Sequence, residues 1–327
     1  MRSEKEMYHL ILGYANADEN IRAVILNGSR ANPNRKPDPF NDFDIVYLVR
    51  NLTPCKEKAY YKDFGEILVC ERTDESELFK EHFPEFVCYL MQFADGNRID
   101  LTVSSIDRWE VYCYDDRLSV VLLDKDNALP KLPEPNESTH CVKKPTERMF
   151  FDCRTEFWWV APYVSKGLWR GQLLFAQTHM ESCIRKMLLQ MMKWYAGTLH
   201  GFDYSAGKCG DALKDLLPAD IWNGYLETFA ACTEEDIWRA LFKAGELFTE
   251  LTKRTAKALG FTVTDEYDRR VTSFLKYTKD LPRNAKTLDF ILTKRKDPLY
   301  ADIMYRRRGG QPRVRLSAPY SPRLQAH

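Results

Sequence analysis

Two aspartates in one short segment are the first residues whose types and spacing could do chemistry. Asp42 and Asp44 stand two positions apart at the start of an apolar run, so on a β-strand their side chains would share one face. Like charges held this close repel each other unless a cation lies between them or one is protonated. Carboxylate oxygens suit Mg²⁺, which uses few carboxylates and takes substrate phosphates as further ligands. An isolated Asp-x-Asp is more often a solvated turn, so the interpretation as a metal site needs further residues.

A glycine turn and a third aspartate provide that support. Residues 23–26 are apolar and of strand type, and they lead into Gly28-Ser29. The glycine would let a phosphate approach the backbone, and the serine hydroxyl adds a hydrogen-bond donor. Asp100 lies in a later alternating segment whose apolar residues would face the other way. Together the three aspartates and the turn predict a site for two Mg²⁺ ions and a metal-assisted attack on the α-phosphate of a nucleotide.

These residues would be positioned by a helix followed by a mixed β-sheet. Ser3 and Glu6 have capping-box spacing, and apolar residues recur after them at helical intervals. Segments rich in Val, Ile, Phe and Tyr, separated by polar or Pro-containing turns, predict strands. The predicted strands cover residues 23–26, 43–49, 67–70, 86–93, 99–103 and 120–123. Asp44 and Asp100 therefore belong to two of these strands.

The second half of the chain has helical periodicity. One long helix is predicted to start at Thr233, with acidic residues in its first turn, and to stop at Gly260. One further apolar stripe at helical spacing consists of Leu173, Ala176, Met180, Ile184, Met187 and Met191. The Pro-rich stretch 130–145 separates this half from the strands and is the predicted domain boundary.

The predicted fold class is therefore α+β. We expect an N-terminal domain over residues 1–135, with a mixed β-sheet flanked by helices. A C-terminal helical-bundle domain that binds the substrate would cover residues 146–285, and a basic, poorly ordered tail residues 286–327.

The composition is that of a soluble globular protein, with 44% hydrophobic and 29% charged residues. No run approaches the ~20 apolar residues that span a bilayer, and the start lacks a secretory-signal pattern, so we expect a cytoplasmic protein without a membrane partner. The nine cysteines are scattered, odd in number and without a C-x-x-C pair, which argues against a zinc site and a disulfide framework. We expect most of them to be small core residues in a reducing cytosol.

The net charge of +1 conceals an asymmetry. From Lys286 onward ten Lys/Arg stand against three Asp/Glu, a charge of +7, while the preceding residues hold 38 basic and 44 acidic side chains, a charge of −6. An acidic body is a poor nucleic-acid surface but suits a cationic small substrate. The basic tail has the composition of a nucleic-acid-binding segment or of a solvated terminus. We favour the terminus, assign the tail no function and expect no nucleic-acid partner.

Taken together, these motifs resemble a known family. Gly28-Ser29, Asp42-x-Asp44 and Asp100 match the signature of the polymerase-beta-like nucleotidyltransferases. The resemblance extends to the aminoglycoside 6-adenylyltransferases, the streptomycin-modifying enzymes, and covers roughly residues 1–285. The segments that carry it are residues 23–30, 41–47, 156–160 (Glu-Phe-Trp-Trp-Val), 166–170 (Lys-Gly-Leu-Trp-Arg) and 206–208 (Ala-Gly-Lys).

The resemblance implies a specific activity. The N-terminal domain would be a nucleotidyltransferase domain, and the enzyme would transfer AMP from ATP to the 6-hydroxyl of streptomycin, releasing pyrophosphate and inactivating the antibiotic. Asp42 and Asp44 would hold Mg²⁺, Asp100 would complete the site, and Ser29 and Arg30 would contact the triphosphate. ATP and an aminoglycoside would be its ligands, and we expect a monomer.

Two residues of the second half are further candidates for the reaction itself. Glu181 is a candidate general base, although its spacing to Arg185 also fits an exposed i,i+4 ion pair and Asp100 could be the base instead. Lys208 lies on a Gly-flanked loop, where a lysine could bind nucleotide phosphates or be a plain surface residue.

Three other residues are candidates for substrate binding. Trp158 and Trp159 could contact a guanidinium-bearing sugar through cation–π interactions, and Glu156 would attract its charge. Most tryptophans in such a cluster pack into the core, and the sequence does not separate the two roles.

Two other functions fit the same residues. The first keeps the chemistry with another acceptor, such as a different aminoglycoside, a lincosamide or a protein hydroxyl. The second is a nucleotide-binding regulatory module that has lost catalysis, against which the presence of all three carboxylates argues.

Overall fold

The computed structural model describes residues 1–78 and 85–291 of the 327. Residues Met1–Lys279 form one compact unit, in which a β-sheet with its flanking helices comes first and a helical half follows. The predicted α+β class is confirmed. Most of the predicted basic tail, residues 292–327, lies outside the described residues, so its prediction stays a prediction.

Six strands form one mixed sheet. They are β1 (Ile21–Asn27), β2 (Phe43–Val49), β3 (Ile67–Arg72), β4 (Phe86–Phe93), β5 (Arg98–Ser105) and β6 (Ser119–Asp124). Their order in the sheet is β3-β4-β5-β2-β1-β6. The β2–β5 pair is parallel, and the other pairs are antiparallel. All six predicted strands are present, which confirms the prediction of a mixed sheet.

The register of the central strands sets the position of the chemical residues. In the parallel pair Asp44 lies opposite Asp100, and between β1 and β2 Asn27 lies opposite Asp44. Ile99 and Leu101 are fully buried on the other face of β5, as the alternating pattern predicts. Because β1 ends at Asn27, the turn that follows it starts beside Asp44.

The helices of the described ranges precede, interrupt and follow the sheet. They are α1 (Glu4–Ala17), α2 (Thr53–Lys56), α3 (Trp109–Tyr114), α4 (Glu147–Trp169), α5 (Leu173–His179), α6 (Arg185–His200), α7 (Leu213–Leu216), α8 (Ala219–Leu226), α9 (Glu234–Leu259) and α10 (Glu266–Asp280). None of the helices in this part of the chain is both long and apolar enough to cross a membrane.

The predicted helix ends follow from local capping. In α1 the Ser3 hydroxyl accepts a hydrogen bond from the Glu6 backbone N–H at 3.3 Å, and the Glu6 carboxylate accepts one from the Ser3 backbone N–H at 2.7 Å. Thr233 caps the start of α9, where its hydroxyl accepts from the Asp236 N–H, and Gly260 ends the helix with φ +76°. The predicted bounds of α9 and the capping box of α1 are confirmed.

The other predicted apolar stripe is interrupted. A π-helical turn, Met180–Ile184, joins α5 to α6, so the stripe runs through three helical pieces. Ala176, Met180, Ile184 and Met191 are buried in it as predicted. A π-helical turn inserts an extra residue into the hydrogen-bond register, and the spacing of apolar residues does not reveal this.

The two halves have separate hydrophobic cores. The sheet and α1 bury one set of apolar side chains, a smaller set lies around Ile25 and Leu48, and the helical half buries its own set between α4 and α10. The predicted division into domains over residues 1–135 and 146–285 stays a prediction, because both halves belong to one compact unit.

The cysteines do not follow the expectation that most are core residues. All nine are free, and only Cys55, Cys113 and Cys153 are fully buried. Cys209 and Cys232 are exposed, and the other four are partly buried. The expectation was wrong because the small side chain of cysteine fits strand faces and loops that remain partly open.

Candidate active site

The three predicted aspartates lie together at one end of the sheet. Oxygens of Asp42, Asp44 and Asp100 all lie within 4.8 Å of one another. Asp44 and Asp100 are neighbours across the parallel β2–β5 pair, while Asp42 precedes β2 by one residue. The sheet register thus brings together carboxylates that are far apart in the sequence.

The electrostatics of this cluster favour a cation. Burial, followed by the charges of Asp42 and Asp100, raises the pKa of Asp44 to about 7. Arg98 donates two hydrogen bonds of 2.7 Å to the Asp100 carboxylate and offsets part of the negative charge. Three oxygen donors held this close match the ligands that Mg²⁺ prefers, so the residues fit the metal site that the sequence predicts.

The turn after β1 is shaped around Asp44. Gly28 has φ +69° and opens a short 3-10 turn, Gly28–Ala31. A Cβ at this position would lie 2.2 Å from Asp44 Oδ2, so only glycine lets the turn and the carboxylate approach. Ser29, the next residue, is exposed. Gly28 and Ser29 therefore lie beside the carboxylates, as predicted.

A cavity of about 1300 Å³ opens above this end of the sheet. The sheet half contributes the three aspartates, Gly28 and Ser29 to its lining, and the helical half contributes residues from α4, α6 and the loop before α7. Single ligand pockets commonly measure about 300–1000 Å³, so this cavity is larger than one ligand usually needs.

Lys208 reaches the cavity from a tightly wound loop. Gly207, Cys209 and Gly210 all have positive φ, of +73°, +57° and +87°, and Cys209 adopts this conformation without being a glycine. Lys208 is exposed, lines the cavity and lies near enough to Asp44 to lower its pKa. The loop therefore presents an ammonium group to the carboxylate cluster.

One face of α4 and one face of α6 form the helical side of the cavity. The lining residues of α4 are Met149, Asp152, Cys153 and Glu156, and those of α6 are Met187, Gln190, Lys193 and Trp194. In each helix they recur at the three- and four-residue spacing of one face. Glu156 accepts a hydrogen bond from the Cys183 thiol at 3.4 Å, and Asp152 is paired with Arg148 at 2.8 Å. The α4 face is therefore acidic and the α6 face carries a lysine.

Comparison with known proteins decides the family. The family model described as streptomycin adenylyltransferase matches residues 1–278, which include both halves and the whole cavity. This chain belongs to the streptomycin adenylyltransferase family.

Individual members of the streptomycin adenylyltransferase family agree with the resemblance seen in the motifs. The chain is 37% identical to an aminoglycoside 6-adenylyltransferase of Campylobacter jejuni, over 84% of this chain and 95% of that protein. It is 37% identical to the protein of that name from Bacillus subtilis (strain 168), over 88% of this chain and all of that protein. It is 34% identical to the protein of that name from Staphylococcus aureus. A crystal structure of an aminoglycoside 6-adenyltransferase from Bacillus subtilis shares 31% identity over 86% of this chain and all of that chain, with a TM-score of 0.43.

In this member of the streptomycin adenylyltransferase family, Arg30 does not point into the cavity. Its side chain is 7% exposed and lies over the Phe43 ring, 3.6 Å from the centroid. It donates to the backbone carbonyls of Asn41 and Asp42. The guanidinium is thus bonded within the protein, a position that does not support the expected contact with the triphosphate, which stays a prediction.

The two tryptophans predicted to bind substrate lie outside the cavity lining. Trp158 is 4% exposed and packs edge-on against Phe157 and Phe248, with centroid distances of 5.0 and 6.4 Å. Trp159 is 65% exposed on another side of α4. These positions do not support the predicted contact with substrate, since consecutive helical residues point about 100° apart and only one face of α4 meets the cavity.

Glu181, the predicted base, also lies outside the lining. Its carboxylate accepts from Arg185 Nε at 2.7 Å and from Gln177 Nε2 at 3.2 Å. The i,i+4 pair that its spacing allows is therefore present, and this geometry does not support a catalytic role. Glu156, by contrast, lies in the cavity as its substrate-binding prediction requires.

Several lining residues were not identified from the sequence. Arg98 and Trp194 line the cavity, as does Phe40, which is 89% exposed. Asp116 and His140 line it as well, and their carboxylate oxygen and ring nitrogen lie 2.9 Å apart, within hydrogen-bond distance. The position of Arg98 two residues before Asp100 on one strand was a usable signal, but the others depend on how loops and helices pack.

Proposed function

We propose that this enzyme transfers AMP from ATP to the 6-hydroxyl of streptomycin. Membership of the family supports adenylyl transfer, and the names of the relatives support an aminoglycoside acceptor modified at position 6. The observation that carries the proposal is the cavity, which is lined both by the three carboxylates at the end of the sheet and by the acidic residues of α4.

The cavity suits two ligands of opposite charge. Gly28, Ser29 and Lys208, beside the carboxylate cluster, would hold the triphosphate, with backbone N–H groups, a hydroxyl and an ammonium as donors. Glu156 and Asp152 on α4 would attract the guanidinium groups of streptomycin. The acidic charge of the protein body would favour the approach of this cation.

In the proposed reaction the acceptor oxygen attacks the α-phosphorus of ATP. The bond from this phosphorus to the oxygen that bridges to the β-phosphate breaks, and pyrophosphate leaves with the bonding electrons. The proton of the acceptor hydroxyl passes to a carboxylate, for which we propose Asp100, because it lies in the cluster and Glu181 does not. Mg²⁺ held by Asp42, Asp44 and Asp100 would neutralise phosphate charge and favour attack at the α-phosphorus.

The acceptor is tested by incubating the protein with ATP, Mg²⁺ and single antibiotics, followed by mass spectrometry. We expect streptomycin to gain one adenylyl group and pyrophosphate to be released. The panel should include other aminoglycosides, a lincosamide and bulk protein, which represent the alternative acceptors. If streptomycin keeps its mass while another compound is adenylylated, the proposed acceptor is wrong and the reaction type is right.

The role of the carboxylates is tested by Asp44→Asn. The change keeps the size of the side chain and removes one ligand charge, so we expect the activity to fall by more than about two orders of magnitude. Asp63→Asn is the control, since Asp63 is exposed and outside the cavity lining. Wild-type activity of Asp44→Asn would refute the metal site and favour a different assignment of the cluster.

A further inference from the structure

Arg30 directly follows Gly28 and Ser29, the residues proposed to bind phosphate, but its side chain points elsewhere. It belongs to the same 3-10 turn as Gly28 and Ser29, yet it turns away from the cavity and is more than nine-tenths buried. Its guanidinium stacks on the ring of Phe43, the first residue of β2. A buried guanidinium is stable only where its N–H groups have partners, so those partners show what the residue does.

The partners of Arg30 are the two residues before β2. Arg30 Nε donates to the Asp42 carbonyl and Nη2 to the Asn41 carbonyl, both at 2.7 Å. The planar guanidinium thus binds two consecutive carbonyl oxygens as a fork. These bonds connect the turn after β1 to the backbone of the first aspartate.

A second layer holds the fork in place. Arg30 Nη1 lies 3.1 Å from Glu4 Oε1 in α1, and the same oxygen pairs with Arg35 Nη2 at 2.9 Å. Arg35 Nη1 also donates to the side-chain oxygen of Asn41 at 3.1 Å. The start of α1 and the loop before β2 therefore close around the Arg30 side chain.

Asp42 needs such support more than its two partners do. Asp44 and Asp100 lie inside strands, where ladder hydrogen bonds fix their backbones. Asp42 lies one residue before β2, outside the paired register of the β2–β5 ladder. Arg98 Nε lies 4.0 Å from the Asp42 carboxylate, but the backbone that carries this carboxylate belongs to the loop, whose last two carbonyls are bound by Arg30.

We propose that Arg30 is a positioning residue that fixes the backbone of Asp42, so that its carboxylate joins those of Asp44 and Asp100 in binding a divalent cation. The inference rests on the metal site of the proposed function, but not on the identity of the acceptor. Arg30 acts through the carbonyls of Asn41 and Asp42 and contacts neither ATP nor the acceptor.

The test is a titration of the full chain with Mn²⁺ in the absence of nucleotide. Electron paramagnetic resonance measures the concentration of free Mn²⁺ at each step. Arg30→Ala should raise the Mn²⁺ dissociation constant by about 10-fold or more, the range for residues that orient metal ligands. Arg30→Lys should weaken binding similarly, because an ammonium group cannot bind two carbonyls as a fork. Millimolar guanidinium should restore Mn²⁺ binding in Arg30→Ala by filling the vacated space, whereas methylammonium should not.

Arg2→Ala is the matched control for loss of a structural arginine. Arg2 also lies over an aromatic ring, Phe93, and pairs with a carboxylate, Asp95, and its hydrogen bonds within the described part of the chain go to Asp95 and the Phe64 carbonyl instead of the loop before β2. We expect Arg2→Ala to lower the melting temperature while its Mn²⁺ dissociation constant stays that of the wild type. A melting curve of each variant confirms that the titrated protein is folded.

Three outcomes would overturn the inference. Folded Arg30→Ala that binds Mn²⁺ as the wild type does would show that Asp42 needs no such support. Unchanged Mn²⁺ binding with weakened binding of metal-free ATP would identify Arg30 as a phosphate contact. Wild-type protein that binds no Mn²⁺ would refute both this inference and the metal site. Failure to modify streptomycin would refute the proposed acceptor only, because Mn²⁺ binding is measured without it.

Discussion

At the scale of single residues, the Asp44 carboxylate occupies the space that a side chain at position 28 would need. We expect Gly28→Ala to abolish most activity, because the new Cβ would lie 2.2 Å from Asp44 Oδ2 and would displace that carboxylate. The strain of a positive φ should also cost about 1 kcal/mol of unfolding free energy. Initial rates and urea unfolding measure the two effects.

Gly171→Ala separates strain from steric conflict. Gly171 has φ +70°, almost the value of +69° at Gly28, but a Cβ there would meet nothing within 4 Å. It should therefore lose similar stability and keep its activity. Equal activity loss in both variants would show that backbone strain, and not the displacement of Asp44, explains the result.

Glu181 and Glu156 differ in what surrounds them, and this separates their roles. We expect Glu181→Gln to keep the wild-type kcat and to lose about 1 kcal/mol of stability, because it weakens the partner of the buried Arg185. Glu156→Gln should instead raise the KM for streptomycin by about tenfold, equivalent to ~1.4 kcal/mol, and leave the KM for ATP unchanged. Steady-state kinetics with each substrate varied in turn measures both. A low kcat in stable Glu181→Gln would restore Glu181 as the base.

At the scale of elements, a buried ion pair attaches α10 to α4. Arg154 and Asp268 are 5% and 7% exposed and lie 3.1 Å apart, and Arg154 also donates to the Thr264 carbonyl. Asp268→Asn should destabilise the protein by about 3 kcal/mol, since it leaves a buried guanidinium without its counter-charge. Neither residue lines the cavity, so KM values measured at low temperature should not change. A changed KM with normal stability would contradict this structural role.

The elements were predictable wherever local residue patterns determine them. The bounds of β2 and β4 and the ends of α9 follow from β-branched and aromatic runs, from Thr233 and from Gly260. The π-helical turn before α6 was not predictable, because it changes hydrogen-bond register without changing residue type.

The candidate site was predictable only where residue type restricts the chemistry. Asp44 and Asp100 lie within apolar strands and Asp42 directly precedes one, and carboxylates at such positions commonly bind a cation or another charged group. The sheet then places the three together. The directions of Arg30 and Trp158 depend on tertiary packing, so the sequence did not show that both side chains point away from the cavity. Trp194 lines the cavity because of how α6 is rotated, which no local pattern specifies.

At the scale of the whole molecule, the cavity joins the two halves into one functional unit. The carboxylates come from the sheet, while Glu156 and Lys208 come from the helical half. Neither half alone contains both the predicted metal ligands and the acidic face of α4. The proposed reaction would therefore depend on the packing of the halves, although their hydrophobic cores are separate.

The chain beyond residue 285 contributes nothing to this unit as far as the structure describes it. The last residue along the chain that lines the cavity is Lys208, and the family match ends at residue 278. A chain that ends after residue 285 also keeps α10 and its ion pair with α4. We therefore expect the truncated protein to retain wild-type kcat and KM values for ATP and streptomycin, measured by pyrophosphate release.

The charge of the removed segment makes this truncation a sharper test. Residues from Lys286 onward carry a charge of +7, so the shortened chain has a charge of −6. A KM for streptomycin that falls on truncation at low salt, with the difference lost at high salt, would contradict the expected wild-type KM and show that the tail repels the cationic acceptor. A truncated protein that ends after residue 260 lacks α10 and is the matched control. It should lose both stability and activity. A large fall in kcat for the 1–285 chain with an unchanged melting temperature would show that the basic tail takes part in the reaction.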